Sequence, residues 1–177
     1  MKYRTQHIKT ILSALFLALA YTLPFLTGQI PEIGSMLCPM HIPVLLCGYL
    51  CGWPWGFFVG LAAPLFRSLT LGMPILFPKA LCMAIELAAY GALSGILHHV
   101  LPKKKAFIYL SLIIAMIGGR LLYGISMFFC LGGNYGFSVF LSGTVLEAIP
   151  GILLQIVLIP LIVIICEHSA FFKKLKK

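Results

Sequence analysis

The sequence predicts an all-α integral membrane protein, a bundle of six transmembrane helices with the N- and C-termini in the cytoplasm. Three observations predict it. Hydrophobic residues make up 61% of the 177 positions and charged residues only 10%, against roughly 25% charged in an ordinary soluble domain. Apolar runs near the length of a bilayer span, about 20 residues, follow one another along the chain between short turns. The positive charges gather at three places. Lys2, Arg4 and Lys9 precede or open the first apolar run, Lys103, Lys104 and Lys105 form a central block, and Lys173, Lys174, Lys176 and Lys177 close the chain.

That clustering decides what the formal net charge of +9 means. Spread over one soluble face, it would point to nucleic acid. In three short blocks between apolar runs it follows the positive-inside rule and marks cytoplasmic loops, with membrane lipid as the partner of the charge rather than nucleic acid. Six spans nearly exhaust the chain, so residues 1–177 read as a single transmembrane domain with no room for a soluble catalytic or nucleotide-binding unit.

The elements follow in order. Helix one runs from about Ile8 to Leu26. It lacks a small-x-small cleavage pattern, which argues for a retained helix rather than a signal peptide. Thr27–Pro39 is the longest polar connection and holds Glu32. Helix two, about Met40–Gly52, is short for a full span, so it is tilted or re-entrant. Trp53-Pro54-Trp55-Gly56 reads as an interfacial turn. Helix three covers about Trp55–Leu71 and ends at Gly72-Met73-Pro74. Helix four covers about Pro78–Val100, with proline tolerated in its first turn. Helix five covers about Ala106–Leu131 and ends at Gly132–Gly136. Helix six covers about Phe140–Glu167, with Pro150 and Pro160 inside it. An even number of spans separates each basic block from the next, so all three share one side. Ala14 and Ala18, Gly56 and Gly60, and Gly91 and Gly95 repeat the four-residue spacing of small residues that lets membrane helices approach closely.

Arg67, Glu86, Arg120 and Glu147 fall inside predicted helices. A charge at mid-bilayer costs about 2.5–3.5 kcal/mol on insertion scales. Such groups face the bundle interior, pair with one another or line a wet cavity. At about 1.5 Å rise per residue, all four lie in the outer half or the centre, which predicts a pocket opening outward. Lys79, Met83, Glu86 and Tyr90 share one face of helix four. Arg120, Tyr123 and Met127 share one of helix five, and Glu147, Gly151 and Gln155 one of helix six. With His41 and Asn134 near the outer ends, Arg67, Lys79, Met83, Glu86, Tyr90, Arg120, Tyr123, Asn134, Glu147 and Gln155 are the candidate binding residues. Each has a plainer alternative: structural ion pairs for the four charges, snorkelling for Lys79, packing for Met83, Tyr90 and Tyr123, and a polar helix start for His41. His98 and His99 read as interfacial. The six cysteines read as small packing residues, without metal-type spacing. No phosphate-binding Gly-x-x-x-x-Gly-Lys-Ser/Thr loop, zinc-protease pattern or Gly-x-Ser-x-Gly elbow occurs in the sequence. The reading is therefore of a non-enzyme without metal or cofactor. A self-contained carrier or channel is the alternative from another class.

Cys38-Pro39-Met40-His41-Ile42-Pro43-Val44, the Gly52-Trp53-Pro54-Trp55-Gly56 turn and Pro64-Leu65-Phe66-Arg67, after the Ala14-x-x-x-Ala18 helix, carry a family resemblance over essentially the whole chain. The sequence resembles the substrate-binding S components of energy-coupling factor (ECF) vitamin transporters. That resemblance implies a multi-pass protein of the bacterial cytoplasmic membrane. It implies high-affinity capture of a vitamin outside, docking on a membrane coupling protein through Ala14 and Ala18, and a cycle driven by two cytoplasmic ATPase subunits. The connection Thr27–Pro39 takes the place of the family's lid. Two intramembrane acids against two bases favour a near-neutral or zwitterionic, pyridoxine-like vitamin. If both acids are engaged structurally, the remaining positive charge favours pantothenate. Hydroxymethylpyrimidine, riboflavin and folate are further possibilities.

Overall fold

A computed structural model of the chain describes residues 2–27, 36–102, 104–132 and 148–169. Among these residues the chain forms six α-helices: α1 (Lys2–Thr22), α2 (His41–Cys51), α3 (Trp53–Leu71), α4 (Leu81–Val100), α5 (Lys105–Leu131) and α6 (Ile149–His168). A 3-10 turn, Leu23–Thr27, extends α1, and a π turn, Leu76–Ala80, leads into α4. Four helical stretches are long and apolar enough to cross a membrane: Thr5–Leu26, Leu76–Val100, Lys105–Leu131 and Ile149–His168. All lie in regions expected to span. Their outward faces are apolar, with Ile11, Ile85, Ile117, Leu153, Val157 and Ile165 all exposed. Lipid is the solvent that suits such faces.

The expected boundaries shift by a few residues. Helix one begins at Lys2 instead of Ile8, because nothing in Lys2–His7 breaks a helix. Phe77, before Pro78, takes an extended conformation inside the π turn, as a pre-proline residue prefers. The regular helix therefore starts at Leu81. The predicted start of helix six at Phe140 lies outside the described residues, whereas Pro150 stands in the first turn of α6 and Pro160 inside it.

The short second helix is the centre of the bundle. All eleven residues of α2 are buried, and it packs against α1, α3, α4 and α6. At about 1.5 Å per residue it is roughly 16 Å long, half of a bilayer core. Its apolar sequence is therefore that of a core helix wrapped by longer ones.

Glycines set how closely α2, α3 and α4 approach. A Cβ on Gly56 of α3 would lie 2.6 Å from the Gly91 carbonyl oxygen of α4, and one on Gly95 would lie 2.5 Å from the Trp53 backbone nitrogen. Gly60 meets the Leu87 carbonyl, and Gly48 meets the Gly91 carbonyl and Ser94 Oγ. The sequence expectation for the Gly56/Gly60 and Gly91/Gly95 pairs is thus met backbone against backbone. Gly52 reverses the chain between α2 and α3 at φ 103, and Gly72 ends α3 at φ 69. Side-chain-bearing residues rarely adopt such angles.

One end of the bundle carries a polar tie. His98 Nε2 lies 3.1 Å from Glu167 Oε1, joining α4 to α6. Tyr49 of α2 sets its ring 5.2 Å from that of His98 and shares a 2.8 Å hydrogen bond with Ser111 of α5.

Gly91→Leu should lower folded yield in detergent sharply, since overpacking a tight interface costs about 1–3 kcal/mol and here the obstacle is backbone. Gly72→Ala, with nothing near the added methyl, should cost only about 1 kcal/mol of backbone strain. Thermal unfolding of both variants by size-exclusion or fluorescence checks the contrast.

Candidate functional site

Three helices bring polar side chains to one buried point. Glu86 stands one turn into α4 and is 1% exposed. Tyr90 follows four residues later on the same face and donates its hydroxyl to Glu86 Oε1 at 3.1 Å. Gly119 of α5 lies against the Tyr90 ring and the Glu86 carbonyl, where a Cβ would be 3.1 Å from that oxygen. This close approach sets Arg120, the next residue, beside the carboxylate: its Nη1 lies 3.0 Å from Glu86 Oε1. His41, the first residue of α2, brings Nε2 to 3.6 Å from the same oxygen and stacks at a tilt on Tyr90, with ring centroids 5.2 Å apart. Arg120 Nη2 reaches Cys38 Sγ at 3.4 Å, just ahead of α2.

The electrostatics of this cluster are those of a compensated pair with spare donors. Removing a carboxylate and a guanidinium from water is costly, and their contact offsets the cost only with good geometry and further hydrogen bonds. Glu86 has both. Arg120 and His41 are less fully met. Among the described residues, Arg120 Nε and His41 Nδ1 are buried without a hydrogen-bond partner, and His41 Nε2 comes no closer to one than the 3.6 Å contact with Glu86. Leaving such a group unmet costs about 1–3 kcal/mol, so three of them around one ion pair call for an explanation. A ligand that accepts hydrogen bonds supplies one.

The structure therefore joins four sequence candidates, His41, Glu86, Tyr90 and Arg120, and places others around or apart from them. Met83 is half-buried a turn before Glu86, Tyr123 is buried on α5, and Gln155 of α6 is 2% exposed. Lys79 is exposed in the π turn. Arg67 is buried but turns to α1. Its Nη1 donates to the Tyr21 carbonyl at 2.8 Å and its guanidinium lies 5.0 Å from the Phe25 ring centre. Asn134 and Glu147 lie outside the described residues, as do residues 28–35 of the expected lid. Ala14 and Ala18 are exposed on α1, while Ser13, Phe16 and Ala20 turn inward.

Some contacts escaped the sequence. Nothing in spacing pairs Cys38 with Arg120 or His98 with Glu167, because each bond joins elements far apart in the chain. Among the described residues, no group of three or more His, Cys, Asp or Glu could hold a metal ion.

A helical membrane protein with a buried polar centre between its helices is the class that this fold and site define. The sequence model of the family described as ECF transporter, substrate-specific component, matches residues 9–163. That span takes in every residue of the cluster, and the chain belongs to this family. It is accordingly a multi-pass membrane protein and a transporter subunit that captures substrate and partners the ECF module. Comparison with curated proteins and with solved structures returned no match.

Glu86→Ala should be strongly destabilising, by about 3–5 kcal/mol, because it strands Arg120 as a buried charge. Glu86→Ala combined with Arg120→Met should recover part of that loss. A double-mutant cycle on thermal stability measures the coupling.

Proposed function

We propose that this chain captures a water-soluble vitamin at the extracytoplasmic face of the bacterial cytoplasmic membrane and delivers it through an ATP-driven ECF complex. The observation that carries the proposal is the set of buried polar nitrogens, Arg120 Nε and the His41 ring, that lack a hydrogen-bond partner among the described residues beside Glu86. In this reading six spans place both termini inside. His41, Glu86, Tyr90 and Arg120 form the centre of the site. Met83, Tyr123, Gln155, Arg67, Lys79, Asn134 and Glu147 contribute its walls and mouth. A membrane coupling protein binds at Ala14 and Ala18, and two cytoplasmic ATPases drive release.

The substrate we favour first is pyridoxine-like: small, near-neutral, with hydroxyls and an aromatic face. The polar edge of such a ring suits Arg120 and His41. One observation favours pantothenate as a second reading. Glu86 already faces Arg120, Tyr90 and His41, so the groups left to meet a ligand include strong donors, which suit a carboxylate.

Purification of the chain in detergent, followed by native mass spectrometry, should recover a bound vitamin. Added pyridoxine should displace it at a lower concentration than pantothenate does. The reverse order would establish the second reading, and no binding across a vitamin panel would refute the capture role. Arg120→Ala should weaken binding at least tenfold per folded molecule.

Ala14→Leu or Ala18→Leu should abolish co-purification with the coupling protein and leave vitamin binding unchanged. Both residues face away from the bundle, and small residues permit close helix contact. Unaltered assembly in both variants would remove the docking assignment.

A further inference from the structure

Cys82 and Cys130 lie outside the Glu86 cluster. Cys82 is the second residue of α4 and is fully buried; Cys130 is the last but one of α5 and is half-buried. Their sulfurs stand 3.8 Å apart, and both thiols are free. A disulfide has its sulfurs about 2.05 Å apart, so the thiols need to close by less than ~2 Å, a movement on the scale of a side-chain rotation. Other cysteines are placed differently. Cys38 contacts Arg120, and Cys47 and Cys51, one turn apart on α2, contact each other, with Cys47 also 3.7 Å from Ser13 Oγ.

We propose that Cys82 and Cys130 are a reversible disulfide site that ties together the outer ends of α4 and α5. The compartment of oxidation rests on the topology given above, which puts these ends outside, where disulfides persist. The pairing itself rests only on the geometry. The oxidant is a small-molecule disulfide. Cys130, the more accessible, attacks it as thiolate and forms a mixed disulfide, expelling one thiol. Cys82 then attacks Cys130 Sγ and expels the second thiol. Two cysteine thiols are oxidised, one external disulfide is reduced to two thiols, and the two protons pass to those thiols. The bridge fixes the separation of the two helices that carry Glu86, four residues from Cys82, and Arg120, ten residues before Cys130. It therefore sets how far the two halves of the ion pair can part at the mouth of the site.

The test uses the full chain in detergent, treated with oxidised glutathione, then denatured and alkylated with a maleimide. The expected result is two fewer alkylated thiols than in the reduced protein, restored by dithiothreitol, with peptide mapping joining Cys82 to Cys130. Cys82→Ser and Cys130→Ser should each prevent the loss, and Cys47→Ser should not. Six alkylated thiols after oxidation, a stable glutathione adduct without the bridge, or mapping to another pair would each overturn the proposal. These readouts on the wild-type chain decide it even if a serine variant folds poorly. Acid-quenched alkylation in intact cells separates the two premises. A bridge formed in vitro but fully reduced in cells would contradict the extracytoplasmic placement and leave the pairing standing.

Discussion

Burying a full carboxylate in an apolar bundle is the constraint around which the rest of this molecule is arranged. Glu86 can remain charged there only because Arg120 lies 3.0 Å away and Tyr90 donates to the same oxygen. Those three groups come from two helices, so α4 and α5 must hold a fixed separation. Gly119 makes that separation small, with no side chain between the Tyr90 ring and the α5 backbone. His41 then arrives from the end of α2, the one helix that is buried along its whole length. The position of the polar centre is thus inherited from packing: a short core helix ends where the charge pair begins.

The same arrangement accounts for the division of labour across the bundle. Glycine contacts lock α2, α3 and α4 backbone to backbone, which gives the site a rigid wall. The His98–Glu167 and Tyr49–Ser111 contacts close one end of the bundle. The opposite end carries Cys38, the π turn with Lys79, and the Arg67 contact with the end of α1. An asymmetry of this kind, one end tied and the other polar, suits a subunit that accepts cargo and surrenders it when a partner acts on it. In the proposed reading, the exposed alanines of α1 are where such a partner docks.

Much of this was legible in the sequence, and for a physical reason. Charges inside apolar runs are so costly that Glu86 and Arg120 had to meet something, and helical spacing put Tyr90 on the face of Glu86. Small residues at four-residue intervals identified Gly56, Gly60, Gly91 and Gly95 because only a close helix approach uses them together. Partner choice was not legible. Arg67 and Arg120 are alike in a sequence, yet one bonds a carbonyl of α1 and the other the carboxylate of α4. His41 read equally well as a polar helix start, since its burial depends on α2 being central, and eleven apolar residues alone do not show that. His98 beside a lysine block read as interfacial, because Glu167 comes to it from a distant helix.

The central claim is that Arg120 and His41 hold a ligand next to Glu86. An experimental structure of the chain with its co-purified compound tests it most directly. The account predicts a polar atom of that compound within hydrogen-bonding distance, about 3.2 Å or less, of Arg120 Nε or a His41 ring nitrogen. A compound bound elsewhere, with those nitrogens met by protein groups or by water alone, would contradict it.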